Sequence, residues 1–507
     1  MVRKVEDAKI FTYARFNITA LLSLARSIRG KNCSCDETQR PESGSLNWAI
    51  FIAFEDGVEW VFRSPRRSFG LPKATASEVL LSEVATMKYL RETAGSGIPV
   101  PGVFSYCATD QNDIGVPYIL MSKASGVPLS TYQWTDDTIS PPSNRDKSRA
   151  TLSASQKWKI LRQLGGIHAA LSNIRFSEIG SLFMDDDDSY PTLRKCLFPS
   201  LIWNGRDGFD DTVITRGPFP ESKALHTACI QALLAHVAEL QMEHHLFHAP
   251  LPIVEEYDSF EEYRRATDLW NDYATVGSKV DSRTNRLGCT AAGIALVGTV
   301  PWLCERDTQT GSDGGFPLYH ADLSTQNIFV DDDLNITRII DWALPHPRDS
   351  IHYPSLLEPF FEGFIAGNGF SGRQSTPDFS HNDSFWEFFR LINLDALQDF
   401  YYVSQLLHSP SGQEVHPYLT LVKRGEEFLE AAEYVLKEDE AVDQESSRRD
   451  EEQYFSCVGE PRYVLARHLT VMAQLNTQCS LLIRGCGGGL RFICGGEMWM
   501  WALGARN

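Results

Sequence analysis

The residues with the most chemical content stand together in one stretch, Leu318-Tyr-His320-Ala-Asp322-Leu-Ser-Thr-Gln-Asn327-Ile-Phe-Val-Asp-Asp-Asp-Leu-Asn-Ile-Thr-Arg-Ile-Ile340-Asp341-Trp342. Residues 327–330 and 336–340 are short apolar runs on either side of an acidic turn at 331–333, the pattern of a β-hairpin. A turn centred on Leu334 would set Asn327 opposite Asp341. A carboxamide and a carboxylate would then share the open end of the hairpin. Asp322 enters the same region from the preceding loop.

Two oxygen ligands beside a third carboxylate suit Mg²⁺, a hard cation that takes one or two protein groups plus substrate phosphates. The remaining carboxylate can orient an attacking hydroxyl and accept its proton. Phosphoryl transfer uses this division of labour, with one Asp on the hydroxyl and an Asn and an Asp on the metal. A bare D-x-x-x-x-N is common by chance. His-x-Asp-x-x-x-x-Asn followed by two apolar strands and Ile-Asp-Trp is specific.

A site of this kind needs a cation for the nucleotide phosphates and a carboxylate to hold that cation. Runs with strand character at 48–54 and 58–62 flank Glu55-Asp56-Gly57, whose Asp-Gly pair reads as a hairpin turn. Residues 75–92 read as a helix that Pro99 and Pro101 forbid from continuing. Within it Val79, Glu83 and Met87 are spaced four apart, so Glu83 lies on the apolar, inward face. An inward carboxylate wants a partner. Arg63, at the end of the second strand, is the natural one. Residues 118–122 form a further apolar strand, broken by Gly126. A helix is also read over 8–29, followed by a polar stretch at 31–43. From residue 154 onward the pattern turns mainly helical, clearest at 156–172 and 222–245.

This combination resembles the aminoglycoside phosphotransferase family, and within it the large fungal branch, over roughly residues 40–475. The resemblance implies an α+β, bilobal, protein-kinase-like fold. Residues 40–125 would be a small β-rich nucleotide-binding N-lobe, and 126–476 a larger, mainly helical C-lobe for catalysis and the acceptor. Residues 1–39 would precede them as a helix and polar linker, and 477–507 would follow as a poorly ordered Gly-rich tail. By the same resemblance Asp322 is the catalytic base, and Asn327 and Asp341 are the Mg²⁺ ligands. His320 and Trp342 occupy motif positions, Trp342 standing where protein kinases carry Phe. Arg63 becomes the phosphate cation oriented by Glu83, although the family usually has Lys there, and the two are not interchangeable. Gly44 to Asn47 would cover the phosphates, with one glycine where kinases have three. The backbone of Ser122 and Ala124 would hydrogen-bond adenine, with Met121 against the ring.

The expected activity is transfer of the γ-phosphoryl group of ATP, with Mg²⁺, to a hydroxyl of a small molecule. The alternative is a nucleotide-binding pseudokinase or scaffold without turnover, drawn from Arg63 and the thin glycine loop. A protein kinase is disfavoured, because no Ala-Pro-Glu-like segment follows Asp341-Trp342-Ala343. Acidic positions Glu255, Glu256, Asp258, Glu261, Glu262 and Asp272 would suit a cationic acceptor, or form a solvated face.

Composition narrows the classes further. A hydrophobic share of 43% supplies material for real cores, and a net charge of −19 argues against nucleic-acid partners. Eleven cysteines are scattered without zinc spacing, as free thiols in a reducing compartment would be. The histidines at 244, 245 and 248 have no further ligand at a recognisable spacing and read as surface groups. No apolar run is long enough to span a bilayer, so no membrane partner is expected. Residues 1–32 carry seven Lys/Arg and two Asp/Glu, which keeps a mitochondrial presequence as the lesser alternative to a cytoplasmic location.

Overall fold

The computed structural model describes residues 9–44, 46–66, 71–92, 97–134, 150–185, 190–240, 242, 259–261, 263–264, 283–304, 315–320, 323–342, 354–367, 388–389 and 391–393, and three short strands within 484–499. The described residues are α+β.

Alternate residues Trp48, Ile50, Ile52 and Phe54 are buried along β3 (Asn47–Phe54), as a half-buried strand requires. β4 (Glu59–Pro65) returns antiparallel to it through the Asp56-Gly57 turn, with Gly57 at φ +80°. The sheet runs β1 (Cys33–Ser34), β3, β4, β6 (Tyr118–Ser122), β5 (Val103–Cys107), with β2 (Glu42–Ser43) also on β3. The stretch 31–43 is therefore no free linker: it carries β1 and β2. Strands of two residues are made by pairing and leave no periodic signal.

One sheet face is aromatic. Trp48, Phe62 and Tyr118 pack with Phe16 and with Leu21 and Ala25 of α1 (Ile18–Arg29). This helix starts ten residues later than the reading from 8. Asn17 caps it, accepting the Ala20 amide, and Gly30 ends it at φ +68°. Only a short 3₁₀ turn, Lys9–Phe11, precedes the cap among the described residues.

The other face receives α2 (Lys73–Glu92). Its Leu80, Val84, Met87 and Leu90 join Ile119 and Met121 of the sheet in one cluster. Ile167 and Leu171 of α3 (Ala154–Asn173) complete that cluster together with Ile339 and Trp342. Each large apolar side chain buried there contributes roughly 1.5–3 kcal/mol. Sheet, both helices and the 327–342 segment thus share one core.

α3 begins at a capping box, Ser153 with Gln156. It lies against the helix Pro354–Gly367 at very short range: a Cβ on Gly165 would stand 2.0 Å from the Phe360 carbonyl oxygen. Its polar side chains grip the hairpin of β14 (Ile328–Val330) and β15 (Ile336–Ile339). Gln163 accepts the Ile336 amide at 2.9 Å and donates to the Leu334 carbonyl at 3.0 Å, and Lys159 donates to the Asp333 carbonyl at 2.6 Å.

The hairpin exists, but its register differs from a turn centred on Leu334. Ile328 pairs with Ile339 and Phe329 with Arg338, and the register slips between Phe329 and Val330. Asn327 therefore faces Ile340, whose amide it accepts at 2.9 Å, and Asp341 stands one residue beyond. The cause is the turn. Asp331 accepts the amides of Asp333 and Asn335 at 3.0 and 2.8 Å, and Leu334 takes φ +60°, so the turn tightens and a bulge absorbs the odd residue.

Val127–Pro128 (β7) adds a third strand to the hairpin. Gly126, at φ +86°, makes that approach possible, because a Cβ there would lie 1.9 Å from the Val330 carbonyl oxygen. The chain leaving β6 is thereby seated directly on the motif.

Farther along, β11 (Ser181–Met184) and β12 (Pro191–Arg194) form a hairpin beside α2. The short α4 (Pro199–Ile202), α5 (Ser222–Glu239) and the helix Arg283–Val297 share a second core with Phe183, Leu201, Leu233, Leu296 and Phe388. α5 stops at Glu239 rather than 245. The histidines at 244, 245 and 248, the acidic positions 255, 256, 258, 262 and 272, and most of the expected helical region from 384 lie outside the described residues.

Candidate active site

Arg63 lies inside β4, which runs two residues past it to Pro65 and pairs with both neighbours in the sheet centre, so that Arg63 stands opposite Ala49 and Ile119. That position fixes its side chain between sheet and α2. Its guanidinium forms an ion pair with Glu83, the inward carboxylate of α2. Its other terminal nitrogen lies 3.6 Å from Asp341 Oδ1. Three separate parts of the chain thus meet at one buried cation. Burial by itself lowers the pKa of Arg63, yet the carboxylates of Glu83 and Asp341 outweigh it, raise the pKa and hold the group charged. Burial pushes Glu83 upward from the ordinary carboxylate range, against the opposing pull of Arg63.

Asp341 takes φ +64°, a left-handed conformation that Asp tolerates better than most residues. Its Oδ1 is buried and has no hydrogen-bond partner. Asn327, 8% exposed, is tied through its carbonyl to Ile340, the neighbour of Asp341. His320, also buried, hydrogen-bonds the Ile340 carbonyl at 3.1 Å. Since a carbonyl only accepts, His320 Nε2 carries the proton. Burial lowers its pKa to about 3, so the ring stays neutral. The His320 and Trp342 rings meet edge to face with centroids 4.3 Å apart, and the Trp342 indole donates to the Ile339 carbonyl at 2.9 Å. His320 and Trp342 thereby brace both sides of Asp341. Asp322 lies outside the described residues.

The donor set fits Mg²⁺. Asp341 offers an unsatisfied buried oxygen and Asn327 a buried carboxamide. Among the described residues no group of three or more His, Cys, Asp and Glu could hold a metal. Mg²⁺ needs only one or two such groups.

The 44–47 turn is the tip of the β2–β3 hairpin, closed by the Gly44 amide on the Asn47 carbonyl at 2.9 Å. A Cβ on Gly44 would meet open space. Asn47 and Leu46 line a cavity of about 30 Å³ shared with Arg63, Glu83, Val79 and Ile119. Arg66 props this turn: its amide donates to Leu46 at 2.8 Å, its side chain to the Gly44 carbonyl at 3.3 Å, and it covers the Tyr13 ring at 4.6 Å. This bracing depends on partners twenty and more residues away, and only the basic character of Arg66 was visible in sequence.

Met121 is buried in the core beneath the sheet. The Ser122 amide donates to the Gly102 carbonyl at 2.9 Å, and its hydroxyl accepts the Gly102 amide at 2.9 Å. That amide is therefore not available to a base. The half-buried Ala124 follows, at the start of the segment that Gly126 seats on the hairpin.

No protein-family model matches the chain. The chain is similar to a subtelomeric hrmA-associated cluster protein of Aspergillus fumigatus, 29% identical over 153 residues, or 30% of this chain and 26% of that protein. It is also similar to altered inheritance of mitochondria protein 9 of Candida glabrata, 31% identical over 120 residues, covering 23% of this chain and 18% of that one. The same-named protein of Debaryomyces hansenii is 30% identical over 165 residues, covering 32% of this chain and 23% of that protein. The matches span about a quarter or less of these relatives. Among solved structures, a macrolide 2'-phosphotransferase from Brachybacterium faecium aligns over 82% of this chain and 98% of its own, at 15% identity and a TM-score of 0.30. A spectinomycin phosphotransferase in complex with ADP and spectinomycin covers 89% and 98%, at 12% identity and a TM-score of 0.30. These neighbours are small-molecule phosphotransferases. At such TM-scores function has to rest on the site's own residues. The two relatives named as mitochondrial overturn the expectation of a cytoplasmic location.

Proposed function

We propose that the protein transfers the γ-phosphoryl group of ATP, with Mg²⁺, to a hydroxyl of a small molecule. The observation that carries this reading is the trio of buried Arg63, buried Glu83 and half-buried Asp341, drawn from the central strand, from α2 and from the end of the hairpin. Arg63 would meet the nucleotide phosphates, and Glu83 would hold it there. Asn327 and Asp341 would bind the metal, which when bound neutralises phosphate charge. Asp322 would orient the acceptor hydroxyl and take its proton. Rate would come from positioning and charge rather than covalent chemistry. Calorimetry tests the reading: Mg²⁺ and ATP together should bind the full chain, and ATP without Mg²⁺ should bind more weakly. Absence of binding to the folded protein would overturn it.

One observation favours the second reading, a pseudokinase. Arg63 already sits beside Asp341, where it competes for the oxygen a metal would use. Binding of nucleotide with no turnover across amino-alcohol, aminoglycoside and sugar acceptors would favour that reading. We also place the protein in mitochondria, on the strength of the two relatives so named. Fractionation in which the full chain fails to sediment with mitochondria would overturn this.

A further inference from the structure

The first turn of α2 is held by a part of the chain more than a hundred residues away. Thr75 is 9% exposed, and its hydroxyl donates to Asp207 Oδ2 at 2.7 Å. One turn on, Glu78 meets Lys195 at 2.7 Å. Next to it Val79, and farther along Leu81, pack against the second core, which contains Phe183 of β11. Thr75, Glu78 and Val79 have the i, i+3, i+4 spacing of one helix face. Glu83 and Met87 lie on the neighbouring face, toward the sheet.

The far side of this contact is rigid. Asp207 sits in a short 3₁₀ turn, Arg206–Gly208, beside the 1%-exposed Arg206. Arg206 donates to the Ser200 carbonyl at 2.7 Å and to the Ile392 carbonyl at 2.8 Å. Arg216 in turn donates to the carbonyls of Arg206 and Phe209 at 2.7 and 2.9 Å. The turn that carries Asp207 is thus fastened into the helical core by five-donor side chains that cannot lose their charge.

We infer that β11, Lys195 and the Arg206–Gly208 turn clamp α2 so that Glu83 stays on Arg63, making Thr75 and Asp207 positioning residues for the candidate active site. The physical reason is that α2 carries Glu83, and Glu83 orients a cation that also reaches Asp341. A helix able to slide or tilt would separate that pair. Of the two polar pins, Thr75–Asp207 carries more, because it is shielded and charge-assisted. Glu78–Lys195 is half-exposed and screened, and contributes little alone. The inference rests on the phosphotransferase reading for its effect on nucleotide, and on geometry alone for its effect on the helix.

Two readouts on the full chain separate these. Thr75→Val keeps the shape and removes the hydroxyl; Thr75→Ser restores it. If wild type binds Mg²⁺ and ATP, Thr75→Val should weaken that binding about tenfold, the equivalent of about 1.4 kcal/mol, and Thr75→Ser should recover most of it. Equal affinity in wild type and Thr75→Val overturns the clamp and leaves the phosphotransferase reading standing. If wild type binds no nucleotide, that reading fails, and hydrogen exchange decides the clamp. Faster exchange of α2 amides from Leu80 to Leu90 in Thr75→Val, with β3 and β4 unchanged, supports it; unchanged exchange in α2 overturns it. A merely structural Thr75 would lower the melting temperature without changing the affinity of the folded fraction.

Discussion

Arg63 reaches Asp341 Oδ1 at 3.6 Å while it holds Glu83, so a residue of β4 that faces α2 also touches the carboxylate just beyond β15. A single guanidinium therefore links the sheet, the helix and the candidate metal site. Neutralising it leaves the buried Glu83 and the half-buried Asp341 without their shared cation.

That relationship predicts a double loss for Arg63→Ala. Breaking a buried pair costs about 3–5 kcal/mol, because the remaining charge stays buried, so the denaturant midpoint should fall. In protein that still folds, kcat/KM should drop roughly 10²-fold, or about 2.7 kcal/mol. Arg63→Lys should retain part of both, since one point charge can still serve. Glu83→Gln should be milder than Arg63→Ala. Unchanged stability together with unchanged nucleotide binding in Arg63→Ala would refute the shared role.

Gly126 supplies a test of how the segment after β6 is seated. With φ +86° and the Val330 carbonyl oxygen 1.9 Å from where a Cβ would lie, Gly126→Ala meets both backbone strain and a clash. It should lower stability by at least about 1–3 kcal/mol, read as a fall in melting temperature. Gly44→Ala, where a Cβ meets open space, is the control and should melt like wild type.

The pairing of Glu83 with Arg63 was readable in sequence because it needs only two local facts. Four-residue spacing turned Glu83 inward, and the apolar run 58–62 pointed to Arg63 as its end, although the strand itself runs on to Pro65. The 318–342 motif was readable because its residue types are rare together. Its register was not. Setting Asn327 opposite Asp341 assumed a regular hairpin, whereas Asp331 tightens the turn and the bulge at Phe329 moves Ile340 into that place. Likewise the engagement of the Ser122 amide by the Gly102 carbonyl left no sequence signal, because it depends on how a loop 20 residues upstream folds back. The contact of Thr75 with Asp207 had no signal at all, since neither residue type nor spacing marks a pairing made only by tertiary packing.

Two neutral histidines, His320 buried and His168 half-buried, give the stability a defined response to acid. Burial lowers His320 to about 3 and His168 to about 4, both from an ordinary 6.5. A basic group depressed in the folded state favours folding above its unfolded value, and this contribution is lost as pH falls below about 6.5 toward the folded values. Each histidine should then remove about 1.4 kcal/mol per pH unit at full effect. The melting temperature should fall between pH 7 and pH 5. His320→Gln keeps a donor for Ile340 but cannot titrate, so its slope should be flatter. An identical slope in His320→Gln would show that acid acts elsewhere.

The last prediction divides the roles around the motif. Asp341 has an unsatisfied buried oxygen, and Asn327 is fastened to the residue beside it. If both hold the metal, Asp341→Ala and Asn327→Ala should each weaken binding of Mg²⁺ and ATP together, and should have less effect on ATP measured without Mg²⁺. Removing Asp341 also relieves Arg63 of one partner, so Asp341→Ala should keep its fold: Glu83 remains to neutralise the guanidinium. Asp322 is assigned to the acceptor hydroxyl, and Asp322→Asn keeps shape while losing the base. That variant should therefore bind Mg²⁺ and ATP with near wild-type affinity and transfer no phosphoryl group. Loss of nucleotide binding in Asp322→Asn, with Asp341→Ala unaffected, would reverse the two assignments and move the metal toward Asp322.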